Sequence, residues 1–221
     1  MTTVGFIGSG HIGGTVARLA VAAGYDVVLS NSRGPASLAG LVAELGPGAR
    51  AATTAEAAAA GEFVVLSVPF KAHADLSAAE LTGKLVLDTS NYYPQRDGHV
   101  AELHEDVLTS SEITQRQLPG STVVKVFNTI TFMHLAELHR PAGDPDRTAL
   151  TIAGDDADAK QTVTAFLDAI GYDAVDVGPL AQSWRVEPGQ PAYAAPFGVY
   201  GKPGTPAGVD ALMAAVAQAK R

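Results

Sequence analysis

Near its amino terminus the chain passes through Gly8-Ser9-Gly10-His11-Ile12-Gly13, and nothing else in the sequence limits the fold as strongly. The apolar run Val4-Gly5-Phe6-Ile7 leads into it, and Ile12, Val16, Leu19, Ala20 and Ala23 follow at helical spacing as far as Gly24. That period marks a helix with one apolar face, closed by a glycine. A strand, a glycine turn and a helix in this order have a mechanical reason. Gly8 allows the tight turn, Gly10 lets the backbone approach a pyrophosphate, and Gly13 lets the helix pack closely on the strand. The helix start offers free N–H groups and the positive end of its dipole to phosphate. His11 occupies a variable position of the turn and reads first as a solvent-facing bystander, with a catalytic role as the alternative.

The second strand, Tyr25-Asp26-Val27-Val28-Leu29, ends in Ser30-Asn31-Ser32-Arg33-Gly34. A site for NAD places Asp or Glu here to accept from the ribose 2′-hydroxyl. No acid is present, and Asp26 lies at the other end of the strand. The hydroxyls, amide and arginine at 30–33 suit a 2′-phosphate instead: Arg33 can pair with it and stack on adenine, while Ser30 and Ser32 donate hydrogen bonds. The expected cofactor is therefore NADP(H).

Apolar runs at roughly 3–8, 25–30, 49–52, 62–68, 84–90, 121–128, 148–153 and 172–177 alternate with helical windows near 11–23, 35–45, 54–60, 70–80, 131–139 and 156–170. Such alternation predicts an α/β fold of Rossmann type, a doubly wound, mostly parallel sheet covered on both faces. Residues 91–120 interrupt it with a polar excursion and a helix around 99–106. Pro179, Pro188, Pro191, Pro196, Pro203 and Pro206 crowd the end of the chain, before a last helix from about 207. So many prolines argue against a second core. The expected organisation is an NADP-binding domain over 1–180 and a small extension, 181–221, wrapped on it.

Composition narrows the function. A formal net charge of −8 disfavours nucleic acid or an anionic membrane as partner, since both need a basic face. The chain has no cysteine, which removes disulfides, thiolate metal sites and cysteine nucleophiles. The start lacks the pattern of a signal peptide and no run approaches a membrane span, so the expected location is cytoplasmic. No metalloprotease, serine-hydrolase or phosphate-loop motif occurs, and no metal site is expected.

In a fold of this kind ligands lie along the carboxyl ends of the strands. Those ends are Ser67-Val68-Pro69, Asp88-Thr89-Ser90-Asn91 and Phe127-Asn128-Thr129-Ile130. The first should pass near the adenosine ribose and pyrophosphate, the other two near the nicotinamide. Asn128 can bond a carboxamide or ribose hydroxyl, and Ile130 can pack on a ring. Each polar residue has helix capping as its alternative. His73 lies near a predicted ligand edge but reads first as structural, and Trp184 reads as core or as a wall of the cleft.

With these residues in view, the chain resembles the F420-dependent NADP oxidoreductase family, which includes the cytosolic reductase domains of the STEAP metalloreductases. The landmarks are the glycine turn, Ser-Asn-Ser-Arg at 30–33, Ser-Val-Pro at 67–69, Asp-Thr-Ser-Asn at 88–91, Lys-Val-Phe-Asn-Thr-Ile at 125–130, Ala-Gly-Asp-Asp at 153–156 and Val-Gly-Pro-Leu at 177–180. The resemblance implies a homodimer, with NADPH along the strand ends and a deazaflavin ring of coenzyme F420 against the nicotinamide. It implies Ser9, His11 and Ile12 at the pyrophosphate, Ser32 and Arg33 at the 2′-phosphate, and Asn128, Thr129 and Ile130 at the redox cleft. No separate substrate domain fits after the last strand, so no acid or base side chain is expected; two rings exchanging a hydride carry their own chemistry. Arg185 and Lys202 are the expected cations for the coenzyme's anionic tail, and Trp184 with Pro69 and Ile130 its apolar slot. The rivals are a general NADPH reductase of flavin, quinone, imine or carbonyl, and a non-catalytic NADPH sensor.

Overall fold

A computed structural model describes residues 1–105 and 107–221. Eight strands form one sheet in the order β3-β2-β1-β4-β5-β6-β7-β8: β1 Thr3–Ile7, β2 Asp26–Ser30, β3 Ala49–Ala51, β4 Phe63–Leu66, β5 Leu85–Asp88, β6 Thr122–Lys125, β7 Ala149–Gly154 and β8 Asp173–Asp176. The central strands β1 and β4 are buried almost throughout because helices cover both faces. The strand order reverses between β1 and β4, which leaves a crevice at their carboxyl ends. The six strands β1 to β6 are mutually parallel, as the alternation predicts. The last pair departs from it: β7 runs antiparallel to β6 through Val124–Gly154 and Lys125–Ala153, with β8 parallel to β7. The carboxyl ends of β1, β4, β5 and β6 thus point to one edge of the sheet.

The helices are α1 His11–Ala22, α2 Ala39–Leu45, α3 Thr54–Ala60, α4 Pro94–Asp97, α5 Ala101–His104, α6 Ser110–Gln117, α7 Phe132–Glu137, α8 Ala157–Ala169 and α9 Val209–Ala217. The helix expected over 70–80 is instead two 3-10 turns, Phe70–Asp75 and Ala78–Leu81. Leu76 and Ser77 between them are extended, and burial of Phe70, His73 and Leu81 outweighs the helical propensity of the alanines. Helix α6 was not foreseen, although Thr109 and Glu112 announce it. The Thr109 hydroxyl accepts from the Glu112 amide while the Glu112 carboxylate accepts from the Thr109 amide. Thr109→Ala should cost about 1–2 kcal/mol in urea denaturation; an unchanged midpoint would mean the cap is idle.

One core cluster joins the sheet residues Val4, Phe6, Leu29, Val65, Leu87 and Val124 to Val16 of α1 and Phe166 of α8. Val186, Ala192, Phe197, Ala207 and Leu212 from the end of the chain lie in the same cluster. Among the described residues no helix is long and apolar enough to cross a membrane.

Candidate active site

The glycine turn has the geometry its spacing promises. Gly8 holds φ at +95°, and a Cβ there would fall on the Ser67 carbonyl; a Cβ on Gly13 would fall on the Gly8 carbonyl. A Cβ on Gly10 would meet nothing within 4 Å, so this glycine faces open space. Helix α1 starts there with no side-chain cap and no acidic residue in its first turn. Its leading N–H groups are free to bind an anion, and the residues present fit a pyrophosphate.

A cleft of about 450 Å³ opens along the carboxyl ends of β1, β4, β5 and β6. It brings together Gly10, His11 and Ile12 with Ser67, Val68 and Pro69, Ser90 and Asn91, and Asn128, Thr129 and Ile130. A neighbouring hollow of about 330 Å³ shares Val68 and is lined by Gly8, Asn31 and Ser32. Arg33 stands exposed beside Ser32, and none of the described residues hydrogen-bonds or ion-pairs with its guanidinium. Its backbone N–H donates to Asn31 Oδ1 at 2.9 Å, which shapes the loop. Ser30 corrects the sequence reading. Its hydroxyl is wholly buried and donates to the Phe6 carbonyl at 2.7 Å, and its own carbonyl accepts from Ser9 Oγ at 3.0 Å. Both serines tie the first two strands together, and Ser30 cannot reach a 2′-phosphate.

At the other end of the cleft the backbone is strained. Phe127 (φ 65°) and Ala194 (φ 59°) are the non-glycine residues with positive φ among those described, and both line the cleft. Such outliers concentrate where a site over-determines its backbone. Asn128 Nδ2 donates to the Val186 carbonyl at 2.7 Å, and Asn91 Nδ2 donates to the Asn128 carbonyl at 2.8 Å. Because the Val186 carbonyl accepts only, Asn128 must turn its amide nitrogen to it and present Oδ1 elsewhere. Asn128 Oδ1, Ser90 Oγ and Thr129 Oγ1 are all buried without a hydrogen-bond partner. An unsatisfied buried group costs about 1–3 kcal/mol, and these three belong to residues that line the cleft.

Several lining residues escaped the sequence reading. Tyr93 and Arg96 come from the segment after β5, Phe132 from the start of α7, and Tyr193 from the end of the chain. The Tyr93 and Tyr193 hydroxyls are hydrogen-bonded to each other. The Arg96 guanidinium sits 4.9 Å from the centre of the Tyr93 ring, donates to the Asn91 carbonyl at 2.6 Å and pairs with Asp97 at 2.8 Å. The His11 ring stacks on Phe132 with centroids 4.3 Å apart, so His11 is a wall of the cleft. Tyr93 could have been found, two residues past Asn91. Tyr193 carries no such signal. Trp184 is not among the residues lining the cleft; the guanidinium groups of Arg185 and Arg221 lie 5.0 and 5.7 Å from its ring. Arg185 bonds Gln182 and Lys202 is exposed, so the arginine lining the cleft is Arg96.

Behind the strand ends lies a charged cluster without solvent. Lys125 Nζ donates to the Ser90 carbonyl, Ser110 Oγ and Ser111 Oγ, each at 3.0 Å, and stands 3.9 Å from Asp88. Asp88 accepts from the Ser90 amide and from Ser111 Oγ at 2.9 and 2.7 Å. Burial alone would raise its carboxyl, but the Lys125 ammonium, His73 and these hydrogen bonds hold it below the ordinary value. His73 is buried there, bonded through Nδ1 to Thr114 Oγ1 at 2.9 Å, and so is structural. Burial, aided by Lys125 and opposed by Asp88, lowers its pKa. The unfolded chain therefore takes a proton first as pH falls below about 6.5, and stability present above that value is lost progressively. Denaturation midpoints should fall from pH 7 to 5, with His73→Gln flattening the slope; an equal slope in both proteins would exclude His73 as its source.

With this geometry established, likeness to known proteins becomes informative. Residues 3–92 match the family model described as NADP oxidoreductase, coenzyme F420-dependent. The hypothetical protein SMa0349 from Sinorhizobium meliloti is 32% identical, superposes with a TM-score of 0.76 and covers 88% of this chain and 94% of its own. A provisionally named F420-dependent NADP-reductase from Arthrobacter sp. FB24 is 25% identical, with a TM-score of 0.68 over 83% of this chain and 87% of its own. Metalloreductase STEAP3 of Rattus norvegicus is 32% identical over 186 residues, 83% of this chain; the chain spans only 35% of that protein's length. The uncapped glycine turn and the strand ends at 67–69 and 90–91 lie within residues 3–92, the stretch that matches the coenzyme F420-dependent NADP oxidoreductase family.

Proposed function

We propose that this protein is an oxidoreductase that passes a hydride between NADP(H) and coenzyme F420. The observation that carries the reading is the uncapped start of α1 at one end of a cleft whose other end is lined by Ser90, Asn128 and Thr129, each with a side-chain oxygen lacking a partner. In this reading the helix N–H groups hold the pyrophosphate of a dinucleotide, Ser32 and Arg33 its 2′-phosphate, and Ser90, Asn128 and Thr129 its nicotinamide end. Bound NADPH supplies a hydride, and a deazaflavin ring accepts one. The protein's task is then to hold two rings face to face and exclude water. Ile12, Val68, Pro69 and Ile130 provide apolar surface for this in the same cleft. Anaerobic mixing with NADPH and F420, read at the deazaflavin absorbance band, tests it. Loss of that band with NADPH oxidation is expected. No reaction in either direction between about pH 5 and 9 would overturn F420 as the partner, and turnover with free FMN alone would make the protein a flavin reductase.

A further inference from the structure

We propose that the paired hydroxyls of Tyr93 and Tyr193 donate a hydrogen bond, and then a proton, to the second substrate. That substrate is then a conjugated acceptor whose ring nitrogen or carbonyl oxygen gains negative charge as the hydride arrives. The inference rests on the hydride-transfer reading above and adds a donor that the sequence reading did not expect.

The placement comes from the backbone. Tyr93 lies two residues beyond Asn91, whose amide bonds the Asn128 carbonyl at 2.8 Å. Tyr193 immediately precedes Ala194, whose N–H donates to the Thr129 carbonyl at 2.8 Å, with Ala194 held in the left-handed region. Both rings thus belong to segments tied to the Asn128–Thr129 strand end, and both line the cleft. Hydrogen-bond capacity supplies the next step. Each phenol has one O–H hydrogen, and the bond between the pair uses one of the two. The only hydroxyl partner of either tyrosine among the described residues is the other. One hydrogen is left over, at the wall of the cleft where the second substrate must lie.

The surroundings suit a donor rather than a base. Burial first, then the hydrogen bond with Tyr93, pushes the Tyr193 phenol upward, with Arg96 pulling the other way. Arg96 is itself paired with Asp97, which also accepts from the Tyr93 amide at 2.9 Å. The Tyr193 phenol therefore stays protonated at neutral pH. The step balances: the hydride carries both electrons from NADPH to form the new bond on the acceptor, whose heteroatom then takes the free phenolic proton. The second phenol restores the first, and a proton from water restores the second.

The test uses Tyr193→Phe and Tyr93→Phe in the full chain. Oxidised F420 is titrated into protein saturated with NADP+, and NADPH-to-F420 transfer is timed in H2O and D2O. Tyr193→Phe should weaken that non-reacting complex several-fold, slow transfer at least tenfold and abolish the solvent isotope effect, while 2′,5′-ADP binds as before. General acid groups commonly contribute more than this. Unchanged transfer and isotope effect, with only a lower melting temperature, would reduce the pair to a structural tie and overturn the donor role alone. Absence of transfer from the unaltered protein to either F420 or FMN would overturn the functional reading, and this role with it.

Discussion

Arg33→Ala should lose most of the protein's preference for NADPH over NADH while weakening NADH binding far less than NADPH binding. The Arg33 side chain is exposed and bonded to nothing else described, so its removal disturbs no internal contact. The 2′-phosphate brings close to two negative charges into reach of that guanidinium, and the adjacent exposed Ser32 adds a donor. Charge-assisted bonds of this kind contribute about 1.5–3 kcal/mol, or roughly ten- to a hundredfold in dissociation constant. Part of the effect should fade as salt rises, because the site is open to solvent. Fluorescence titration of both proteins with both coenzymes measures it. Equal affinity of the unaltered protein for NADPH and NADH would overturn the assignment of this loop.

Lys125→Met should produce the largest loss of stability. The ammonium is fully buried with Asp88, and Met keeps the length of the side chain while removing its charge and three donors. Asp88 then becomes an uncompensated buried carboxylate, an arrangement that typically costs about 3–5 kcal/mol. The sign with pH follows from the depressed Asp88 pKa. Its stabilisation is present above the unfolded carboxyl value and is lost as pH falls through the folded value. The deficit of Lys125→Met should therefore shrink in acid, where Asp88 can take up a proton. Chemical denaturation at pH 7 and at pH 4 checks both statements. A second variant, Lys125→Met with Asp88→Leu, should recover part of the loss, since apolar isosteres often replace a buried pair without penalty. No recovery would place the defect at the Ser90 carbonyl and the Ser110 and Ser111 hydroxyls, which lose their donor.

Much of the site was legible because a phosphate-binding turn is local. Gly8, Gly10 and Gly13, the strand ends at 67–69, 90–91 and 128–130, and the loop at 31–33 follow from order and spacing, and the fold brings them to one edge. Ser30 was misjudged because residue type does not say which face of the strand a hydroxyl takes; this one turns inward to Phe6. The 70–80 segment looked helical from its alanines, yet tertiary burial of His73 and Leu81 decided its shape. Reversal of β7 is a tertiary matter, invisible in a run that is apolar whichever way it points. Tyr193 and Arg96 were missed for a related reason. Tyr193 meets Tyr93 across 100 positions of sequence, and no periodicity reports a contact of that range.

The central claim is that a hydride moves directly from nicotinamide to a second ring within this cleft. The most direct measurement follows deuterium from NADPH labelled at the transferable position of the nicotinamide into F420, by mass spectrometry of the reduced product. The account predicts one deuterium per turnover, carried from one face of the nicotinamide only and retained on the deazaflavin carbon. Reduced F420 without deuterium from either face, or no reduced F420 at all, would contradict it.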